Sequence, residues 1–226
     1  MTGRPVARIL FVVACATPVL LLATALSTRT GLLSPEIGYD LISRIVLFGL
    51  AGVGAVAGLA ALVLAVWKKA GWLLALVSVA VSVLTLGVYV WQGPRVDQSV
   101  GEDVSSDLNE IPGFGPLSAV RSAGGPSGTV GVDACPGALP AMTQSLPESV
   151  VFELQKRGFS VRRAGVTGVY GTHRGFWFGF THDVAVRIRP GRTDIRVAAR
   201  DDRPHGDQAC RLASELSAAL RVGERS

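Results

Sequence analysis

Three apolar runs dominate the first 92 residues: Ile9–Leu26, Ile45–Trp67 and Gly71–Trp91, of 18, 23 and 21 residues, none holding an Asp, Glu, Lys or Arg. About 20 residues at 1.5 Å rise cross a bilayer core of about 30 Å, so the pattern predicts three transmembrane helices, at about 9–26, 45–67 and 71–91. Beyond Gly93 the pattern changes. Val150, Val151 and Leu154 recur at helical spacing, predicting a helix over Pro147–Arg157 with Ser145 as its cap and Gly158 as its stop. Period-two alternation follows, with Phe159/Val161, Val166/Gly168/Tyr170 and Phe176/Phe178/Phe180 read as three short strands. Val184, Val186 and Ile188 alternate with Asp183, Ala185, Arg187 and Arg189, and after Pro190-Gly191 the residues Thr193, Ile195 and Val197 alternate with Asp194, Arg196 and Ala198. A two-residue loop there pairs Val186 with Ile195 and Arg187 with Asp194, leaving one apolar and one charged face. Leu212, Leu216 and Leu220 predict a closing helix over His205–Arg221. The expected fold class is α+β: three N-terminal transmembrane helices (region 1–92), then a two-layer domain (93–226) of antiparallel sheet with helices on one face.

Charge gives this plan a direction. The formal net charge of +5 divides into +4 over residues 1–92 and +1 over 93–226, where 16 basic residues face 15 acidic ones. A nearly neutral polar half has no basic stripe to neutralise phosphates at many points, which argues against nucleic-acid binding. Arg4, Arg8, Lys68 and Lys69 fall on one side of the membrane, whereas the loop Thr28–Asp40 sets Arg29 against Glu36 and Asp40 on the other. The positive-inside rule then puts the N-terminus in the cytoplasm and residues 93–226 outside it, with Arg44 a minor exception. Trp67, Trp72, Tyr89, Trp91 and Tyr39 make an interfacial belt. The first run, interrupted by Pro18, also reads as a signal peptide with Ala23-Thr24-Ala25 as a cleavage site. Within the second run Gly54 and Gly58 form a G-x-x-x-G that serves either packing against Ser78 and Ser82 in the hairpin or a contact with a partner membrane protein.

Candidate chemistry is sparse. Cys135 and Cys210 are either a disulfide, if the compartment is oxidising, or two separate buried thiols. His173, His182 and His205 lack any metal-ligand spacing, and there is no nucleophile elbow, P-loop or dinucleotide fingerprint, so no metal or cofactor is expected. Asp103, Ser105 and Asp107 imitate the first ligands of a calcium loop, but Leu108 and Phe114 stand where Gly and Glu are required. The structural alternative is a set of Asx turns with a rigid Pro112 docking Phe114 into the core.

The stretch Glu102–Phe114 resembles the D-x-x-[ST]-[ST]-D-x-x-x-[PI]-P-x-F signature of the bacterial family called domain of unknown function 1499. Cys135-Pro136 with Pro140 is similar to its Tyr-Pro…Pro segment, His182–Ile188 to its D-D-V-x-x-R strand, and Asp194–Arg200 through Arg211-Leu212 to its ending. The likeness covers about residues 94–222. It departs from the family pattern at Ile111, Cys135, His182, Val197, Ala199 and Gln208. It implies a role, of a kind the family does not define, for Asp103, Ser106, Asp107, Pro112, Phe114, Asp183, Arg187, Asp194, Arg196, Arg200 and Arg211. The expected function is a multi-pass protein of the bacterial cytoplasmic (inner) membrane presenting a binding or scaffolding domain to the cell envelope. Its partners would be the lipid bilayer and, through Arg187, Arg189, Arg196 and Arg200, an anionic lipid headgroup or envelope polymer; otherwise that charged face is merely solvated. The alternatives are a metal-assisted hydrolase using Asp103, Asp107 and Asp183, or an accessory subunit of a membrane-protein complex.

Overall fold

The computed structural model describes residues 3–68, 71–97, 99–121 and 125–222. Lys69, one of the charges behind the expected orientation, and residues 122–124 lie outside the described residues, as do the side chains of Arg4 and Lys68. The chain forms two compact units, residues 1–94 with 176–179, and residues 95–175 with 180–226.

In the first unit α1 spans Gly3–Thr30, and Pro18 does not break it. The connection predicted over Thr28–Asp40 shortens to residues 31–35, because a π-helical segment, Glu36–Val46, already carries the chain into α2, Leu47–Lys68. Close approach of α1 explains Gly38: a Cβ there would lie 1.8 Å from Thr28 Oγ1. The Ser43 hydroxyl donates to the Gly38 carbonyl at 3.0 Å. Helix α3 spans Trp72–Asp97. The unit thus holds three helices long and apolar enough to cross a membrane. Gly54 and Gly58 are occupied within the chain. A Cβ on Gly58 would stand 3.3 Å from Ser78 O, one on Gly54 would stand 3.6 Å from Ala14 Cα, and Ser82 Oγ donates to Gly54 O at 2.9 Å.

The second unit is a five-stranded antiparallel sheet in the order β1-β5-β4-β3-β2. Its strands are β1 Asp103–Ser105, β2 Phe159–Gly165, β3 Gly168–Arg174, β4 Thr181–Arg189 and β5 Arg192–Ala199. The β4–β5 hairpin has the register that alternation dictates, Val186 opposite Ile195 and Arg187 opposite Asp194. Gly191, at φ 71°, takes the left-handed position that a Pro-Gly type II turn demands. Val169, Val184, Val186, Ile188, Ile195 and Val197 bury one face against α4, Pro147–Lys156, and α5, Gln208–Val222, through Val150, Leu154, Leu212, Leu216 and Leu220. Leu146 rather than Ser145 stands at the N-cap of α4 and makes no side-chain bond, having no acceptor to offer, while Pro147 at the first helical position leaves one N–H fewer to satisfy. Cys135 and Cys210 are bonded, with Cα atoms 5.7 Å apart across 75 positions.

Two expectations change. Phe176, Phe178 and Phe180 do not form a strand; Phe178 and Gly179 both have positive φ, 55° and 73°, which turns the chain back on itself. Val130 pairs with Val104 in an isolated bridge beside β1. The second face of the sheet is also not a solvated one. A six-residue 3₁₀ helix, Gly115–Val120, and the segment before it lay Phe114 and Leu117 over Ala185, Ala198 and Tyr170.

Candidate functional site

Strand alternation places Asp103, Asp183, Ala185, Arg187, Asp194, Arg196 and Ala198 on that second face, and the covering segment supplies Asp107, Glu110 and Arg121. Buried carboxylates need compensation, and arginine's planar fork supplies it in pairs of parallel bonds. Arg196 grips Asp103 with Nε and Nη2 at 2.9 and 2.6 Å. Arg200 grips the fully buried Asp183 at 2.9–3.1 Å, and Arg121 reaches the same carboxylate at 3.1 Å. Asp194, also fully buried, accepts from Arg187, Arg189 and Arg192 at 3.0, 2.7 and 2.7 Å. Asp107 bridges Arg187 and Arg189 at 3.0 and 3.1 Å through one oxygen, while its other oxygen receives the N–H groups of Asn109 and Glu110 in an Asx turn. Burial pulls the Asp107 carboxyl upward, but those backbone donors and the charges of Arg192 and Arg187 prevail, leaving it below its ordinary value.

The remaining motif positions join the same assembly. Ser106 Oγ accepts the Ile195 N–H at 2.8 Å, and Pro112 O accepts from Arg196 at 3.1 Å. The Phe114 ring lies between the guanidinium groups of Arg121 and Arg196, 4.0 and 4.5 Å from its centroid. Arg211 stands apart on the exposed side of α5, 3.7 Å from Glu215. Ten of the eleven motif residues therefore build one interlocked layer. Asp103, Asp107 and Asp183 are not a shared metal site, because each is engaged by guanidinium groups. The arginines, likewise, spend donors on internal carboxylates rather than presenting an open cationic row.

A different cluster lies at one end of the opposite, apolar face. His182, near the start of β4, and Glu102, immediately before β1, meet His205 from the loop preceding α5. Glu102 is 8% exposed, and the side chains of His182 and His205 0% and 1%. His205 Nδ1 is 3.3 Å from His182 Nε2, and Glu102 Oε2 is 3.8 Å from the first and 3.9 Å from the second. The other Glu102 oxygen accepts the His205 backbone N–H at 2.7 Å, fixing the carboxylate in place. His205 Nε2 lies 3.0 Å from Asp201 Oδ1, although its N–H is not aligned for a straight hydrogen bond. The Phe180 ring stacks on His205 at 4.3 Å and 18°. Glu102 Oε2 and His182 Nδ1 are buried without a hydrogen-bond partner. Burial lowers the His182 imidazole below its ordinary value. Burial pushes the Glu102 carboxyl up, but His182 and the His205 backbone N–H outweigh it, so it too lies below its ordinary value. Nothing in local spacing could disclose this cluster, whose members are 80 and 23 positions apart; the sequence signal was only that His182 and His205 each sit within two positions of an aspartate, Asp183 and Asp207.

No family model, no curated protein and no solved structure matches the chain.

Proposed function

We propose that this is a multi-pass protein of the bacterial cytoplasmic membrane, whose N-terminal helices anchor a binding or scaffolding domain on the extracytoplasmic side. The observation that carries this is the Cys135–Cys210 disulfide in the unit that follows the apolar helices, since such bonds persist in oxidising compartments. The helices add support: Val56, Val66, Leu84 and Val90 are each more than 60% exposed, which suits lipid and not water. The charge asymmetry of Arg8 and the Lys68-Lys69 pair against the 31–35 connection points the same way. A binding or scaffolding role fits the Arg–Asp layer, whose groups stabilise one another instead of facing a substrate.

Orientation is tested by fusing alkaline phosphatase or green fluorescent protein after Ser226 in a bacterial host. Active phosphatase and dark fluorescent protein are expected. A fluorescent fusion with inactive phosphatase would reverse the topology and reject the proposal.

A further inference from the structure

The orphaned oxygen of Glu102 faces two histidine nitrogens, and no arrangement of protons satisfies all three atoms. One proton serves the 3.3 Å His205 Nδ1···His182 Nε2 contact. That leaves Glu102 Oε2 at 3.8 and 3.9 Å from both rings, beyond hydrogen-bond reach, while it is buried with nothing donating to it. The three separations define a triangle whose equidistant point lies about 2.1 Å from every donor atom. Zinc takes imidazole nitrogen at about 2.0–2.1 Å and carboxylate oxygen at about 2.0–2.2 Å. Calcium needs about 2.3–2.6 Å and oxygen donors throughout, so it does not match two imidazoles. We infer that Glu102, His182 and His205 form a binding site for one divalent transition cation of the Zn²⁺ class.

The surroundings are those of a metal centre. Asp201 stands behind His205 on the ring nitrogen that faces away from the triangle, the carboxylate–histidine arrangement that fixes ring orientation and raises ligand basicity. Phe180 stacked on the same ring holds its plane. The backbone bond from His205 to Glu102 Oε1 leaves only Oε2 to turn inward. A cation at the equidistant point lies in the plane of the three donor atoms, so a tetrahedral site needs Glu102 Oε2 to draw closer to the two rings, which leaves the fourth corner for water or an incoming ligand. The site belongs to the second unit alone and is independent of which side of a membrane that unit faces.

The test uses the full-length chain in detergent, carried on an affinity tag without histidines, stripped by chelator and titrated with Zn²⁺ against a competing indicator dye. One Zn²⁺ per chain is expected, and Co²⁺ in its place should give the intense visible absorption of a tetrahedral site. Glu102→Gln and His205→Gln should each weaken Zn²⁺ binding by at least about 100-fold, and Asp201→Asn by about 10–100-fold. His173→Gln, on a ring outside the triangle, should leave affinity unchanged. Retention of the disulfide and of the wild-type thermal transition serves as the folding control. If Glu102→Gln fails that control, the Co²⁺ spectrum of the wild type and the Asp201→Asn titration decide. Wild-type binding no tighter than that of Glu102→Gln, a Co²⁺ spectrum of purely octahedral weakness, or an equal loss in His173→Gln overturns the assignment.

Discussion

The two faces of one sheet hold two buried polar clusters, and they differ in how their charges are compensated. On the covered face every buried carboxylate has guanidinium donors within 3.1 Å. At the end of the apolar face a buried carboxylate oxygen has none. The first pattern is that of an internal framework: charges taken from water and repaid by their neighbours. The second is a carboxylate oxygen and two imidazole nitrogens that converge on one point, the arrangement that suits a bound cation. Buried charge alone does not mark a site; buried charge without its counterpart does.

The sharpest way to break the comparison is Asp194→Ala. It removes the acceptor of three guanidinium groups and should cost about 3–5 kcal/mol, measured by denaturant titration of the full chain. A cost near zero would mean that the layer is solvated after all. Next comes the paired substitution Cys135→Ala with Cys210→Ala, which frees a long loop and should cost about 2–5 kcal/mol, read as a lowered midpoint of unfolding. In metal-free protein Glu102→Gln should change stability by less than Asp194→Ala, by about 1–2 kcal/mol, because the carboxylate accepts one aligned backbone N–H and carries no guanidinium partner. A loss as large as that of Asp194→Ala would make both clusters equally structural.

The smallest effect concerns pH. Asp107 has its pKa lowered in the folded chain, so its contribution is present above the unfolded value of about 3.9 and is lost as pH falls through the folded value. Asp107→Asn should flatten the acid limb of the stability curve below about pH 4, with little change in the curve's slope at neutral pH. An unaltered acid limb would show that the Asn109 and Glu110 amides do not hold the ionised form.

These differences also explain what could be read from the chain. The β4–β5 register was legible because Val184–Ile188 and Thr193–Val197 alternate in phase, and only one pairing buries both sets. The helices were legible by length and apolarity, whereas their ends were not: Glu36 and Asp40 lie inside a helical segment although they interrupt no apolar run. The strand β1 was missed because Asp-Val-Ser carries almost no alternation, and its pairing comes from β5, more than ninety positions away. Phe176, Phe178 and Phe180 mimicked a strand because aromatic spacing contains no information about φ, which Gly179 and Phe178 reverse. The motif positions were identifiable as a set, but not their meaning, since the Arg–Asp partners come together only when the covering segment folds over the sheet. The Glu102–His182–His205 triangle depends on three separate elements, so no window of sequence contains it.

The disulfide has a topological consequence. Cys135 and Cys210 close a ring of chain that contains α4 and β2 through β5, and β1 lies outside that ring. The sheet is therefore a covalently looped four-strand body to which a three-residue strand is added from the preceding chain. That strand carries Asp103 into one cluster and brings Glu102, its immediate predecessor, into the other. Peeling β1 from β5 would open both clusters in one movement and leave the ring whole. A cation held between Glu102 and the two histidines would act as a clasp on that seam, joining the added strand to the looped body.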